Sequence, residues 1–193
     1  MARGPDGATL HGREKRTRGE GRVRARSETT HGVRVIHSAI GGAFGNTPIR
    51  HLPLSMSGLA REALQMSDHA RNAEIVVGEL PVCHGEPVLI GQVWANLIGN
   101  AFKYSRTRDP AKIEVGWDGG RQAYFVRDNG IGFDMQFAGK LFDAFERLHS
   151  EPAYEGSGIG LAIVGRIVQR HGGRIWADSA PEKGATFWFT LPA

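Results

Sequence analysis

The sequence predicts an α+β fold, a two-layer α/β sandwich with helices packed on one face of a mixed, mostly antiparallel sheet. Three observations carry that prediction. A long apolar helix with a polar seam runs from Pro87 to about Tyr104. Strands joined as a hairpin follow it from Lys112 to Arg127, and two more close the chain between Arg174 and Leu191. Between these pairs a glycine-rich turn, Gly156 to Leu161, opens one further helix. A doubly wound nucleotide fold is disfavoured, because its glycine fingerprint follows a first parallel strand, whereas Gly158 and Gly160 follow a polar loop. A P-loop is absent too, since no Gly-Lys-Ser/Thr follows any glycine run.

The 193 residues, 40% of them hydrophobic, suffice for one domain of ordinary size. Charge is uneven along them: residues 1–34 hold nine Lys and Arg against four Asp and Glu, which leaves the rest of the chain near −1 within a total of +4. Residues 1–48 read as a disordered basic tail and linker and residues 49–193 as the folded domain. A basic polar segment without aromatics, as residues 1–34 are, is more often solvated than bound, so no specific nucleic-acid partner is expected. Cys83 is the only cysteine, which rules out an internal disulfide and suits a reducing compartment. No apolar run reaches the length of a membrane span and no signal-peptide core opens the sequence, so the expectation is a cytoplasmic chain without a membrane segment.

Taken in order, Val33 to Phe44 reads as a short strand or frayed helix ended by Gly41-Gly42 and Asn46-Thr-Pro48. Ser55 or Ser57 caps a helix with Leu59, Ala63 and Met66 at helical spacing, ending near Ala70. Ala73–Val77 and Val82–His84 are strands around a Gly-Glu-Leu-Pro turn. Pro87 sits in the first turn of the long helix, where a missing N–H is harmless. Asp118-Gly-Gly120 turns a hairpin whose second strand delivers Asp128-Asn-Gly130-Ile-Gly132 into a loop. Gly139–Phe145 reads as a short helix, His149–Ser157 as a lid-like loop, and His171-Gly-Gly173 closes the last helix.

Chemistry enters through the long helix. Gln92, Asn96, Asn100 and Lys103 recur at spacings of four, four and three, so one face carries carboxamides and a cation. Leu89, Val93 and Leu97 make one apolar stripe and Trp94, Ile98 and Phe102 another. A buried helix with one polar seam suits a phosphate chain and its metal: Asn100 can offer a neutral oxygen to Mg²⁺ and Lys103 a point charge to phosphate. The plain alternative, asparagines that only cap neighbouring loops, is about as common. The glycine-rich start of the last helix adds unpaired N–H groups that suit an anion.

With these stretches in hand, residues from about Leu54 to Ala193 resemble the ATP-binding catalytic domain of sensor histidine kinases, in the superfamily of gyrase, Hsp90 and MutL. The resemblance rests on four stretches in order: Asn96–Tyr104, Asp128–Gly132, Phe142–Phe145 and Gly156–Leu161. The wording of Phe145-Glu-Arg-Leu-His149, Gly158-Ile-Gly-Leu-Ala-Ile-Val164 and Gly184-Ala-Thr-Phe is closest to bacterial phytochrome-type kinases. It implies the Bergerat ATP-binding fold and ATP with Mg²⁺ as cofactors. Asp128 would accept from the adenine amino group, although an Asp-Asn-Gly aspartate often only caps its turn. Gly130 and Gly132 would leave room beside the base. Asn100 would ligate Mg²⁺, with Asn96, Lys103 and Tyr104 near phosphates or ribose. Gly156, Ser157, Gly158, Gly160 and Leu161 would hold the phosphates through backbone N–H groups, and Thr186 would approach the base, though strand threonines usually have no such role.

The same resemblance implies transfer of the γ-phosphoryl to a histidine. Relatives that hydrolyse ATP carry a glutamate at the point where this chain has Asn96, and an asparagine cannot take a proton from water. The acceptor in such kinases is a histidine followed by an acidic residue on a dimerising hairpin. His11, His31, His37 and His51 here precede Gly, Gly, Ser and Leu. The expected partner is therefore a histidine-containing dimerisation domain or response regulator in trans. A regulatory or pseudokinase module, and a serine kinase of the anti-sigma-factor type, stand as alternatives.

Overall fold

A computed structural model describes residues 48–67, 72–143 and 158–192. The readings of residues 1–47, of the lid-like loop and of Phe145, Gly156 and Ser157 lie outside them. Strand β1 (Leu52–Leu54) leads into helix α1 (Met56–Met66). Ser55 is its N-cap, and the Oγ accepts from Gly58 N–H at 3.2 Å. Ser57, the other candidate cap, instead accepts from Leu80 N–H at 3.3 Å and ties the helix to the next turn. Of the three residues expected on the apolar face, Leu59 is half-buried and Ala63 buried, but Met66 is 86% exposed. The helix ends at Met66, short of the expected Ala70, and its buried face is Met56, Ala60, Ala63 and Leu64.

Strands β2 (Ala73–Val77) and β3 (Cys83–Gly85) precede α2 (Pro87–Ser105), the central element. All six residues of its two predicted apolar stripes are buried, and Trp94 meets Phe189 edge to face at 5.0 Å between ring centroids. Burying side chains of this size contributes about 1.5–3 kcal/mol each, so α2 anchors the core. The sheet continues with β4 (Ala111–Asp118) and β5 (Ala123–Asp128). A 3-10 helix (Met135–Lys140) replaces the expected helix from Gly139, and Leu141 to Asp143 form a turn beyond it. Asp134 explains the earlier start: its Oδ1 accepts from Gln136 N–H at 2.9 Å and caps that turn. Helix α3 (Gly160–Arg170) and strands β6 (Ile175–Ser179) and β7 (Ala185–Phe189) complete the fold.

The five-stranded sheet has the order β2-β4-β5-β7-β6, with β2 parallel to β4 and every other pairing antiparallel. Helix α2 lies on β4 and β5, and α1 and α3 pack against α2. Helices on one face of a mixed sheet are the predicted architecture. A second, two-stranded sheet of β1 and β3 was not anticipated. The opposite face of the main sheet carries Phe125, Trp176 and Trp188, with the guanidinium of Arg121 4.3 Å above the Trp188 ring and that of Arg127 5.2 Å above Phe125. No described helix is long and apolar enough to cross a membrane.

Candidate functional site

The polar seam of α2 runs between two structural features that the sequence singled out separately. At its C-terminal end the loop after β5 docks onto it, Ile131 N–H donating to the Tyr104 carbonyl at 3.2 Å. Toward its middle the start of α3 abuts it. A Cβ on Gly160 would fall 2.7 Å from Asn96 Oδ1, so any side chain there would have to push the Asn96 amide aside. One helix face therefore connects the Asp128 loop with the N-terminus of α3.

Asp128 ends β5 with only 7% of its surface exposed. Its Oδ1 accepts from Gly130 N–H at 2.8 Å, the aspartate turn foreseen as the plain reading. A carboxylate has about four acceptor positions, so the Gly130 and Ala185 N–H groups leave it with further acceptor capacity. Burial pushes its pKa up to about 6, against the pull of the Gly130 and Ala185 backbone N–H groups. The loop admits no side chains at its glycines: a Cβ on Gly130 would lie 2.5 Å from the Tyr104 carbonyl oxygen. One on Gly132, at φ +60°, would lie 2.1 Å from that of Ala180.

On α2, Asn96 donates from Nδ2 to the Gln92 carbonyl one turn back at 2.8 Å. Lys103 and Tyr104 interact with each other, Nζ lying 3.4 Å from the phenol oxygen and 4.8 Å from the ring centroid. Asn100 is half-buried in the seam between Asn96 and Lys103, and its side chain makes no hydrogen bond among the described residues. Its neutral oxygen and the lysine one turn on suit a metal-bound phosphate, since Mg²⁺ takes few protein ligands. The described residues contain no cluster of three His, Cys, Asp or Glu side chains that could hold a metal instead. Gly158 has φ +68°, and Ile159, Gly160 and Leu161 begin α3 with no side-chain cap.

Thr186 is the one described candidate that the structure separates from the others. Alternate strand residues face opposite sides, and β7 pairs Ala185 with Asp128 and Thr186 with Arg127. Thr186 Oγ1 accepts from Arg127 Nε at 3.3 Å on the face away from the helices, so Ala185 is the residue beside Asp128.

Sequence reasoning also missed three residues that hold the site together. Arg108 grips the loop after β5 and the β6–β7 turn at once. Ser179 Oγ accepts from Phe133 N–H at 2.9 Å and donates to the Gly184 carbonyl at 2.8 Å. His171, 2% exposed at the end of α3, accepts on Nε2 from Glu86 N–H at 3.1 Å, with Nδ1 2.8 Å from the Ile167 carbonyl. It thereby satisfies an orphan N–H at the start of α2. Only the terminal position of His171 was visible in the sequence; each of the three also makes a bond across at least 21 residues of chain. A separate groove of about 470 Å³, lined by Phe142, Ala162, Gly165, Arg166 and Ile175 among others, includes none of the predicted ligands.

Fold and site together define an ATPase-type nucleotide-binding domain. The chain belongs to the family described as histidine kinase-, DNA gyrase B- and HSP90-like ATPases, whose profile matches residues 85–193. It is 42% identical over 122 residues to the phytochrome-like protein Cph1 of Synechocystis sp., covering 62% of this chain and 16% of that protein. It is 39% identical over 163 residues to the methanogenesis regulatory histidine kinase FilI of Methanothrix harundinacea, covering 82% of this chain and 17% of that one. Among solved structures it resembles the mycobacterial sensor histidine kinase MprB, with a TM-score of 0.62 at 25% identity over 73% of this chain and 97% of that one. The chain thus spans about a sixth of the length of these curated relatives, and it is an ATP-binding catalytic domain of the sensor histidine kinase type.

Proposed function

We propose that this domain binds ATP with Mg²⁺ and transfers the γ-phosphoryl group to a histidine on another domain or chain, in a cytoplasmic two-component system. The observation that carries the proposal is the polar seam of α2, with a buried carboxylate loop docked at one end and a glycine-started helix at the other. Asp128 takes the adenine amino group on acceptor capacity that the Gly130 and Ala185 N–H groups leave, and Gly130 and Gly132 leave the flat base room. Asn100 holds the metal, which when bound neutralises phosphate charge. Lys103 and Tyr104 flank the phosphates, and the N–H groups of Gly158, Gly160 and Leu161 receive them, together with Gly156 and Ser157. In the transfer, an imidazole nitrogen of the acceptor bonds to the γ-phosphorus while the bond to the β–γ bridging oxygen breaks, and ADP leaves.

Asn96 supports transfer over hydrolysis. Its Nδ2 is committed to the helix backbone and an amide is no general base, so nothing at that position activates water. The four upstream histidines, none followed by an acidic residue, support an acceptor outside residues 1–193, on another domain or chain, or a module that binds nucleotide without transferring it.

The test is incubation of the purified chain with Mg²⁺ and γ-labelled ATP, with and without a separately made acceptor hairpin domain, with Asn100→Ala as control. Acid-labile, base-stable label on the hairpin that depends on Asn100 is the expected result. Calorimetric ATP binding with no labelled protein would replace the kinase reading by a nucleotide-gated regulatory module, and no binding at all would overturn the site.

A further inference from the structure

We infer that Arg108, outside every predicted ligand stretch, is the positioning residue that sets the base-reading loop and, through it, the preference for adenine over guanine. The inference rests on the nucleotide site proposed above and goes beyond it.

The argument is in the peptide planes. Arg108 Nε donates to the Asn129 carbonyl at 3.0 Å, and the N–H of that same peptide unit belongs to Gly130 and donates to Asp128 Oδ1 at 2.8 Å. The guanidinium also donates to the Gly130 carbonyl at 3.0 Å, and the N–H of that peptide unit belongs to Ile131 and donates to the Tyr104 carbonyl at 3.2 Å. A planar trans peptide points its oxygen and its N–H in opposite directions. Gripping two successive oxygens therefore fixes the directions of the two N–H groups, one of which orients the Asp128 carboxylate.

The far side of Arg108 is anchored as well. It donates to the Glu182 carbonyl at 3.2 Å and meets the Glu182 carboxylate at 2.7 Å, while Glu182 N–H donates to the Ile131 carbonyl at 2.6 Å. The fork geometry is specific to arginine: a lysine has no planar set of donors to hold two adjacent carbonyls at once. Glu182 is 74% exposed in its side chain, so its ion pair with Arg108 contributes little and the carbonyl grip is what matters. Asn129 is held from its other side by Lys112 and Pro110, so without that grip the loop stays in place while the tilt of the Asn129–Gly130 peptide, and with it the aim of the carboxylate that prefers an amino group to a carbonyl on the base, is less closely set.

The test uses the full chain with Arg108→Met, Arg108→Lys and Glu182→Gln, and reads displacement of a fluorescent ATP analogue by ATP and by GTP in Mg²⁺, beside each variant's melting temperature. Arg108→Met is expected to weaken ATP about tenfold and to reduce the ATP-to-GTP affinity ratio by a similar factor. Arg108→Lys should fail to restore the ratio, and Glu182→Gln should leave it within about twofold of the parent. Hydrogen exchange without nucleotide should be faster at the Gly130 and Ile131 amides in both Arg108 variants.

A folded Arg108→Met whose ratio equals the parent's, or a lysine variant that fully restores it, overturns the inference. If the methionine variant does not fold, the lysine variant decides it by the same ratio. Should the parent itself bind neither nucleotide, the proposed function fails first and this inference with it; a parent that binds while the ratio stays fixed sinks this inference alone.

Discussion

At the scale of single residues, the strongest consequences come from two buried titratable groups with opposite signs. Asp128 is raised to about 6 from an ordinary 3.8, so the folded protein binds its proton more readily than the unfolded chain does. Stability from this group is therefore highest below the ordinary value and is lost as pH rises through about 6, a difference on the order of 3 kcal/mol. Asp128→Asn keeps an acceptor for Gly130 N–H without the charge. At pH 7 it should raise the unfolding free energy by roughly 1–3 kcal/mol while weakening ATP at least tenfold, measured by urea denaturation and calorimetry. The parent's ATP affinity should also fall below pH 6; phosphate titrates in the same range, so the excess of the parent's fall over the variant's is the decisive quantity. His171 is lowered from its ordinary 6.5, chiefly by burial, and its Nε2 must stay unprotonated to accept from Glu86 N–H. Its contribution is full above about 6.5 and is lost as pH falls below that value. His171→Gln should lower stability at pH 7.5 by about 1–2 kcal/mol and flatten the acid limb; an unchanged limb would show that another group carries it.

At the scale of elements, what could be read in advance followed from local chemistry. Helix α2 announced itself through Pro87 and two apolar stripes that are all buried, and α1 through a serine cap that forms as expected. Both depend on residues within a turn or two of each other. The misplaced 3-10 helix and the exposed Met66 show the limit, because a short apolar cluster does not reveal which neighbour covers it. The side on which Thr186 lies was hidden for a different reason: strand parity can be counted only from a known partner, and the Asp128–Ala185 register is a pairing between distant segments. Gly132 puts the same point to a test. Local sequence shows only a flexible turn, whereas the structure presses its α-carbon against the β6–β7 turn at φ +60°. Gly132→Ala should therefore destabilise by more than about 3 kcal/mol, while Gly139→Ala, with nothing within 4 Å of the added methyl, should change stability by less than about 1 kcal/mol. Equal denaturation midpoints for the two variants would contradict the close approach.

At the scale of the whole molecule, the candidate site is made by contacts that join the ends of the fold. Arg108 bridges the β5 loop to the β6–β7 turn, His171 ties the end of α3 to the start of α2, and Gly160 lets α3 touch Asn96. The candidate stretches could be named from sequence because their residue types carry the chemistry; the residues that position them could not, because an arginine or histidine far along the chain has no local pattern. Since the proposed ligand contacts α2, the β5 loop and α3 together, its binding should stabilise the domain as one unit and not one element. A ligand at one hundred times its dissociation constant adds about 2.7 kcal/mol to the folded state. For a domain of this size that corresponds to a rise in melting temperature of roughly 5–10 °C. Calorimetric scans should show one transition moving upward with ATP and Mg²⁺ together, by less with ATP and a chelator. For Asn100→Ala the magnesium-dependent part should vanish while the magnesium-free part stays. A shift indifferent to Mg²⁺ in the parent would remove Asn100 from the role of metal ligand, and two separating transitions would show that the segments around the seam do not respond as one.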